Sequence, residues 1–282
     1  MRPWAIVNGE LVEGDKPAVL MDNRAFHYGD GVFESIRVIN GKPCFLDAHW
    51  TRSQEGLKAL HIDAPKHLDQ RSLAERIELL VQRTGILSGR CRLTLFREGT
   101  GYFRPEQNKC GYTIELHPLT HENYRLNHEG LTVDIWPEMR KPVNMLSVHK
   151  TLNCQYYIMA GLWSRERNLD ECLLQNDRGN IIESSSGNLF IVSNGVLYTP
   201  SLSDGCLGGV MRMQVINLAL STGMKVYECS LNPQNLLAAD ELFFTNAVRG
   251  IQWAGAYRTK RYAHRTALHL VDLLNKSLGA AS

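Results

Sequence analysis

Glu183-Ser184-Ser185-Ser186-Gly187-Asn188-Leu189-Phe190-Ile191-Val192-Ser193-Asn194-Gly195-Val196-Leu197-Tyr198-Thr199-Pro200 is the stretch on which the reading of this chain turns. One carboxylate opens a turn of small residues, and the turn runs straight into an apolar strand, Leu189 to Ser193. Asn194-Gly195 then reverses the chain into a second strand, Val196 to Tyr198, because that dipeptide tolerates the positive φ of a tight hairpin. Shortly after, Leu207-Gly208-Gly209-Val210-Met211-Arg212 opens a helix in which Val210, Met213, Ile216 and Leu220 are expected on one face. Glycines before a helix let backbone N–H groups approach an anion, and the helix dipole favours a phosphate there. Taken singly, each piece is bland: a polar turn, a hairpin, a glycine pair.

Upstream, the pattern divides the chain. Ala5-Ile6-Val7, Asn8-Gly9 and Leu11-Val12 read as a hairpin, and Val32 to Val38 leads through Asn40-Gly41 to a strand over Pro43 to Leu46. Asp47 is expected to cap a helix to about Leu60, and Asp69 to Thr84 repeats the helical pattern with Leu73, Ile77, Leu80 and Val81. Arg90 to Arg97 and Gly111 to Leu116 alternate as strands around a loop, Glu98 to Lys109. From Pro118 to Gly130 the chain is polar and without apolar period. The domains are therefore expected at residues 1–118 and 131–282, with a linker over 119–130. Beyond it come strand-like Leu131 to Trp136, helical Leu152 to Arg167, strands at Glu171 to Gln175 and Leu242 to Thr245, and helical Ala267 to Leu274. The class is mixed α and β in two domains, and the hairpins argue against a doubly wound parallel sheet.

Composition narrows the function. With 282 residues, 44% hydrophobic and 21% charged, the chain is globular and long enough for two domains. A net charge of +2 offers no footprint for nucleic acid or an anionic membrane surface. No run is apolar enough to span a bilayer, and Met1-Arg2-Pro3-Trp4 lacks the core of a signal peptide, so a cytoplasmic protein is expected. Seven cysteines without a C-x-x-C pair, and ten scattered histidines, suggest neither a disulfide framework nor a metal site.

Lys150 follows Ser147-Val148-His149 at an apparent strand-to-helix junction. A half-buried lysine there would lose charge more readily and could attack a carbonyl or an aldehyde cofactor. The other reading of such a residue is a solvated junction lysine.

In combination these features resemble the signature of class IV pyridoxal-phosphate aminotransferases: Glu183, then Asn188-Leu189-Phe190, a hairpin to Thr199, and Leu207 with Gly209-Val210-x-Arg212. The resemblance covers nearly the whole chain. Arg24 through Gly29-Asp30-Gly31-Val32-Phe33-Glu34-Ser35-Ile36-Arg37-Val38 is similar to the family's RGxxxGDGxFExxRV segment, and His49-Trp50-Thr51-Arg52 to its HxxR element. Lys150-Thr151-Leu152-Asn153 is similar to its K-x-L-N, and Asp240-Glu241-Leu242-Phe243 to its late D-E-[LV]-F strand.

The resemblance implies an α+β, fold-type IV enzyme with a smaller N-terminal α/β domain and a larger C-terminal domain built on a β-barrel-like core with surrounding helices. It implies pyridoxal 5'-phosphate, held as a Schiff base by Lys150, which would also move the substrate proton. Glu183 would face the pyridine nitrogen. Arg52 would pair with the phosphate, beside backbone donors of Gly209, Val210 and Met211 and groups of Asn246 and Ala247, and Asn188 would hold the turn after Glu183. Tyr28 and Phe33 resemble pocket-lining positions, and Arg97 and Arg104 are the candidates for a substrate carboxylate. Amino acids and 2-oxo acids would be the partners, in a homodimer.

Within the family the motifs divide. Gln155 stands where branched-chain transaminases place a tyrosine. Gly209-Val210-Met211-Arg212 and Thr245-Asn246-Ala247 look more like 4-amino-4-deoxychorismate lyases, while Phe33-Glu34-Ser35-Ile36-Arg37 looks like the transaminases. The Arg-x-His of D-amino-acid transaminases is not reproduced, since Pro105-Glu106 follow Arg104. The expectation is an amino-acid transaminase, D-amino-acid or branched-chain-like, with the lyase releasing 4-aminobenzoate and pyruvate as the alternative. Two further readings are a cofactor-free Schiff-base lyase, which leaves Glu183 and the glycine turn without a role, and a binding protein that has kept the fold.

Overall fold

The computed structural model describes residues 4–14 and 19–279, so Met1-Arg2-Pro3 lies outside the described residues. The chain forms two compact units, one made of the chain up to Glu122 together with His149–Asn153, the other of Asn123–Val148 and the chain from Cys154 onward.

In the first unit the strands are β1 (Trp4–Val7), β2 (Glu10–Glu13), β3 (Gly31–Ile39), β4 (Lys42–Pro43), β5 (Gly89–Arg97) and β6 (Cys110–Pro118). They form one antiparallel sheet in the order β2-β1-β6-β5-β3-β4. Its helices are α1 (Arg24–Tyr28), α2 (Leu46–Ala59) and α3 (Gln70–Thr84). Alternation decides which face they cover: Val32, Ile36, Cys91, Leu93, Leu95 and Ile114 pack with Leu57 of α2 and with Leu73, Ile77 and Leu80 of α3 in one core. Phe33, Ser35, Arg92 and Thr94 fall on the opposite face.

Asp69 caps α3 as the sequence predicts, its side chain accepting from Ser72 N at 2.7 Å. Two expectations fail nearby. The strand over Pro43 to Leu46 shortens to Lys42–Pro43, and α2 starts at Leu46 behind Phe45, which has φ 52° and makes no side-chain cap bond. Asp47 is thus a first-turn residue whose carboxylate favours the helix dipole, not the cap. Helix α1 is too short to show a period, and no sequence pattern reveals it.

The second unit contains β7 (Leu131–Ile135), α4 (Gln155–Glu166), β8 (Glu171–Gln175), β9 (Ile181–Ser184), β10 (Asn188–Ser193), β11 (Val196–Thr199), α5 (Val210–Ser221), β12 (Val226–Glu228), α6 (Pro233–Ala238), β13 (Glu241–Asn246), β14 (Gly250–Tyr257), β15 (Lys260–Arg261) and α7 (Arg265–Ser277). Pairing runs β10-β13-β14-β7-β8-β9 and returns to β10, closing a barrel core. The closing contact is a single residue pair, Asn188 opposite Glu183. A closed ring has both strand faces covered, which is why β10 and β13 are nearly continuous apolar runs. Leu189, Ile191, Leu242 and Phe244 join Val133, Leu173 and Tyr257 in one cluster. On the other faces of β10 and β13, Phe190 stacks on Phe243 with centroids 5.2 Å apart.

Three readings of this half are corrected. Glu183 does not open the turn; it lies inside β9, because Ile181-Ile182 extends the strand and the turn is Ser184 to Gly187, closed by Ser184 N donating to Gly187 O at 2.8 Å. Helix α4 begins at Gln155 rather than Leu152, since Leu152 is drawn into pairing with β3. On α5 the buried residues include Met211, Val215 and Ala219, while Met213 and Leu220 are exposed. That helix is apolar nearly all round, so its sequence cannot say which stripe is buried.

Candidate active site

The Lys150 segment is built onto the edge of β3. Phe33 N donates to Lys150 O at 3.0 Å and Leu152 N to Gly31 O at 2.9 Å, with Thr151 bridged to Val32. Gly31 is required by the close approach of β5 on its other side: a Cβ there would stand 2.3 Å from Leu95 O. Lys150 is half-buried, and its Nζ lies 4.3 Å from the centroid of the Phe33 ring. The guanidinium of Arg92 lies 4.1 Å from the same centroid. Arg92 is a functional candidate that the sequence reading passed over. The strand alternation that buried Cys91 and Leu93 already placed it on the Phe33 face.

Arg52 sits on α2 above Glu34. Its Nε donates to Glu34 Oε1 at 2.8 Å and its Nη2 to Oε2, and His49 Nδ1 is 2.7 Å from Oε2. Glu34 faces the helices because it alternates with Val32 and Ile36. Burial by itself would raise its carboxyl, but the charge of Arg52 and the bond and charge of His49 outweigh it and hold the group at about 2. The FExxR and HxxR motifs therefore meet through these three side chains. The spacing of those motifs along the chain carries no hint of that meeting, which depends on how α2 crosses β3.

Arg97 is placed differently from expectation. Its Nε donates to Asp30 at 3.0 Å, Nη1 to His61 O at 2.9 Å and to Asn108 Oδ1, and Nη2 to Leu60 O at 2.6 Å. It is buried, and a substrate carboxylate would have to displace these partners, so the guanidinium is a structural tie. Asp30 is shared with Arg24, whose Nε donates at 2.8 Å and whose Nη1 reaches Gly101 O and Tyr102 O. Arg24 also lies 4.9 Å over the Tyr28 ring, which contacts Phe103 at 5.7 Å. Arg104 is exposed in the same loop.

In the second unit, Glu183 is the centre. Its Oε1 accepts from Lys141 Nζ at 2.7 Å and Tyr157 Oη at 2.9 Å, and its Oε2 from Leu207 N at 2.8 Å. Asn188 Nδ2 donates to Leu207 O at 2.7 Å, so the pair that closes the barrel also clamps both polar groups of Leu207. Gly209 follows at the N-cap of α5, where no side chain caps the helix. A Cβ on Gly209 would lie 1.9 Å from Asn188 Oδ1, so glycine is what lets the helix start against this clamp. The first-turn N–H groups, Val210 and Met211 among them, are left for an anion.

Asn246 ends β13 and organises the next turn, its Oδ1 accepting from Val248 N at 3.1 Å and Arg249 N at 2.8 Å while Nδ2 donates to Ser186 O at 3.2 Å. Ala247 O accepts from Tyr124 Oη at 2.8 Å. Buried Glu171 accepts from the hydroxyls of Ser185 and Ser186, fixing the turn behind Glu183. Lys141, Tyr157 and Glu171 carried no signal in the sequence, because each acts across elements distant along the chain.

A barrel-bearing second unit, an antiparallel first sheet, a lysine on the edge of β3 and a buried carboxylate beside a glycine-opened helix are the parts of one known architecture. The profile of the family Amino-transferase class IV matches residues 31–254, and the chain belongs to the class IV aminotransferases. It is 32% identical over 252 residues to a Methanocaldococcus jannaschii protein named "Putative branched-chain-amino-acid aminotransferase", covering 87% of this chain and 84% of that protein. It is 30% identical over 250 residues to the aminodeoxychorismate lyase of Bacillus subtilis, covering 86% and 82%. The crystal structure of the branched-chain aminotransferase of Thermoproteus uzoniensis with norvaline superposes with a TM-score of 0.90 at 26% identity, over 99% of this chain and 96% of that one.

Proposed function

We propose that this enzyme is an amino-acid transaminase that uses pyridoxal 5'-phosphate, with Lys150 as the residue that holds the cofactor and carries the substrate proton. The observation that carries the reading is the setting of Lys150, anchored through its backbone to β3 with Nζ 4.3 Å from the Phe33 ring, which is not the setting of a solvated junction lysine. When bound, the cofactor supplies the electron sink that makes an amino acid's Cα–H acidic.

The chain's own groups fit that cofactor. Glu183, buried and already accepting from Lys141, Tyr157 and Leu207, has a lone pair left on Oε2 for a pyridinium N–H. The uncapped N-terminus of α5, with the N–H groups of Val210 and Met211, suits a phosphate, whereas Gly209 N already donates to Leu207 O at 2.9 Å and so serves the turn. Arg52, oriented by Glu34, is the guanidinium that the family resemblance assigns to the phosphate. The side chain of Asn246 is engaged in its own turn, so its part would be to shape that turn, with Ala247 offering backbone. Lys150 would shuttle the proton between substrate and cofactor as a general acid and base. Phe33 and Tyr28 would line the pocket. Arg92, beside Phe33, is the carboxylate donor best supported by its position, with Arg104 second, because Arg97 is taken up in structural bonds.

The test is turnover with L- and D-amino acids and a 2-oxo acid acceptor. The expected outcome is a yellow protein bleached by one enantiomer, with Lys150→Ala slower by roughly a hundredfold or more. Turnover by Lys150→Ala at the wild-type rate would overturn the assigned base. The 30% identity to an aminodeoxychorismate lyase sustains the second reading, which release of pyruvate and 4-aminobenzoate from aminodeoxychorismate would select.

A further inference from the structure

Behind Glu183 stands a buried ion pair to which the reading above gives no task. Lys141 is 8% exposed and Glu183 2%. All three ammonium protons have acceptors: Glu183 Oε1 at 2.7 Å, Tyr157 Oη at 2.9 Å and Ser147 O at 2.9 Å. The phenol O–H donates to Glu183 Oε1 at 2.9 Å, so lysine, tyrosine and carboxylate form a closed ring of bonds. Burial first, and then the charge of Glu183, push the Tyr157 phenol well above its ordinary range, so it stays an O–H donor. The mount is rigid, since Lys141 N donates to Gln175 O at 2.9 Å and Lys141 bridges to Asn176 beyond β8.

We propose that Lys141 and Tyr157 are positioning residues that hold Oε1 of Glu183 and so fix Oε2 as the edge offered to the cofactor's pyridine nitrogen. The inference rests on the proposed function and deepens it. A carboxylate has about four acceptor sites. Two lie on Oε1 and are taken by Lys141 and Tyr157; Leu207 N takes one on Oε2, and the one left over is the one a pyridinium would use. An unpaired carboxylate buried this deeply is costly, so without the ammonium the group would turn, protonate or draw in water, and each change weakens its hold on a pyridinium. Nothing in the ring touches the substrate. Its effect passes only through Glu183.

The experiment loads the full-length enzyme with pyridoxal phosphate labelled with ¹⁵N in the ring. It compares wild type, Lys141→Met, Lys141→Arg and Tyr157→Phe by ¹⁵N NMR and by cofactor titration. Wild type is expected to give a pyridinium shift. Lys141→Met is expected to move toward neutral pyridine and to bind the cofactor roughly tenfold or more weakly, the worth of a charge-assisted bond. In that variant kcat should fall more than KM, and Lys141→Arg should restore the pyridinium. A folded Lys141→Met with an unchanged ¹⁵N shift and a Kd within about twofold of wild type would overturn the proposal. If Lys141→Met does not fold, Tyr157→Phe decides: a weaker Kd with a displaced shift supports the ring, and wild-type values overturn it. A wild-type protein that takes up no labelled cofactor would defeat the functional reading itself, an outcome distinct from uptake with unchanged variants.

Discussion

At the scale of single residues, the first unit is organised by two arginines, Arg52 paired with Glu34 and Arg97 bonded to Asp30, Leu60 O, His61 O and Asn108. Arg52 and His49 together hold Glu34 as an ion, and the sign of the pH effect follows. The folded carboxyl sits at about 2 against an ordinary 4.5, so its contribution is present above 4.5 and is lost as pH falls through about 2. By linkage that is worth about 3 kcal/mol near neutrality. In urea titrations the stability gap between wild type and Glu34→Gln should therefore narrow as pH drops below 4.5, and a gap independent of pH would contradict the account. Arg97 predicts a different signature. Replacing it with alanine leaves Asp30 to Arg24 alone and strips Leu60 O, His61 O and Asn108 of a donor. The expected result is a loss of roughly 3 kcal/mol in stability, read by denaturant, in place of a selective rise in KM. The arginine itself was legible as important. Its partners were not, because Asp30, Leu60 and Asn108 reach it only after β3, β5 and the Glu98 to Lys109 loop have been assembled.

At the scale of elements, legibility followed the strength of local signals. The period of α3 and its cap at Asp69 could be read directly, and the capping box adds the return bond from Asp69 N to Ser72 Oγ at 2.8 Å. Asp69→Ala should lower the midpoint of chemical denaturation, with no change in cofactor binding. Helix α5 is the opposite case. Its apolar residues surround the axis, so the buried stripe is set by what it packs on and cannot be seen in its period. Its start, however, is set by one glycine: Gly209→Ala puts a methyl group against Asn188 Oδ1 and should shift the Asn188 clamp on Leu207. The expected outcome is cofactor affinity lowered about tenfold or more, measured by titration of the apoenzyme, because the first-turn donors are displaced.

At the scale of the molecule, the barrel core depends on large side chains that fill it from both faces. Phe190 is fully buried and stacked on Phe243, so Phe190→Ala should cost roughly 3 to 5 kcal/mol and lower the thermal midpoint. Around α1 the surface is unlike that core: Leu20 and Met21 are 78% exposed, Phe26 71% and Phe103 92%. So much apolar area in one region is surface of the kind that the homodimer implied by the family resemblance would bury. Light scattering should give about twice the 31.9 kDa chain mass, and a monomer at working concentration would contradict it. Among the described residues no helix is long and apolar enough to cross a membrane.

The sequence by itself determined the family, the mixed class, the hairpins, α3 and the candidate roles of Lys150 and Glu183, because each of these is written in local chemistry: a turn residue, a period, a cap, a motif at fixed spacing. Only the tertiary structure decided that Glu183 stands in a strand and closes the barrel with Asn188, that Lys141 and Tyr157 hold it, that Arg97 is a tie and Arg92 the cation beside Phe33. Those facts join residues from elements far apart in the chain. Strand register and the crossing of helix on sheet set which of them meet, and neither quantity is encoded in any one segment.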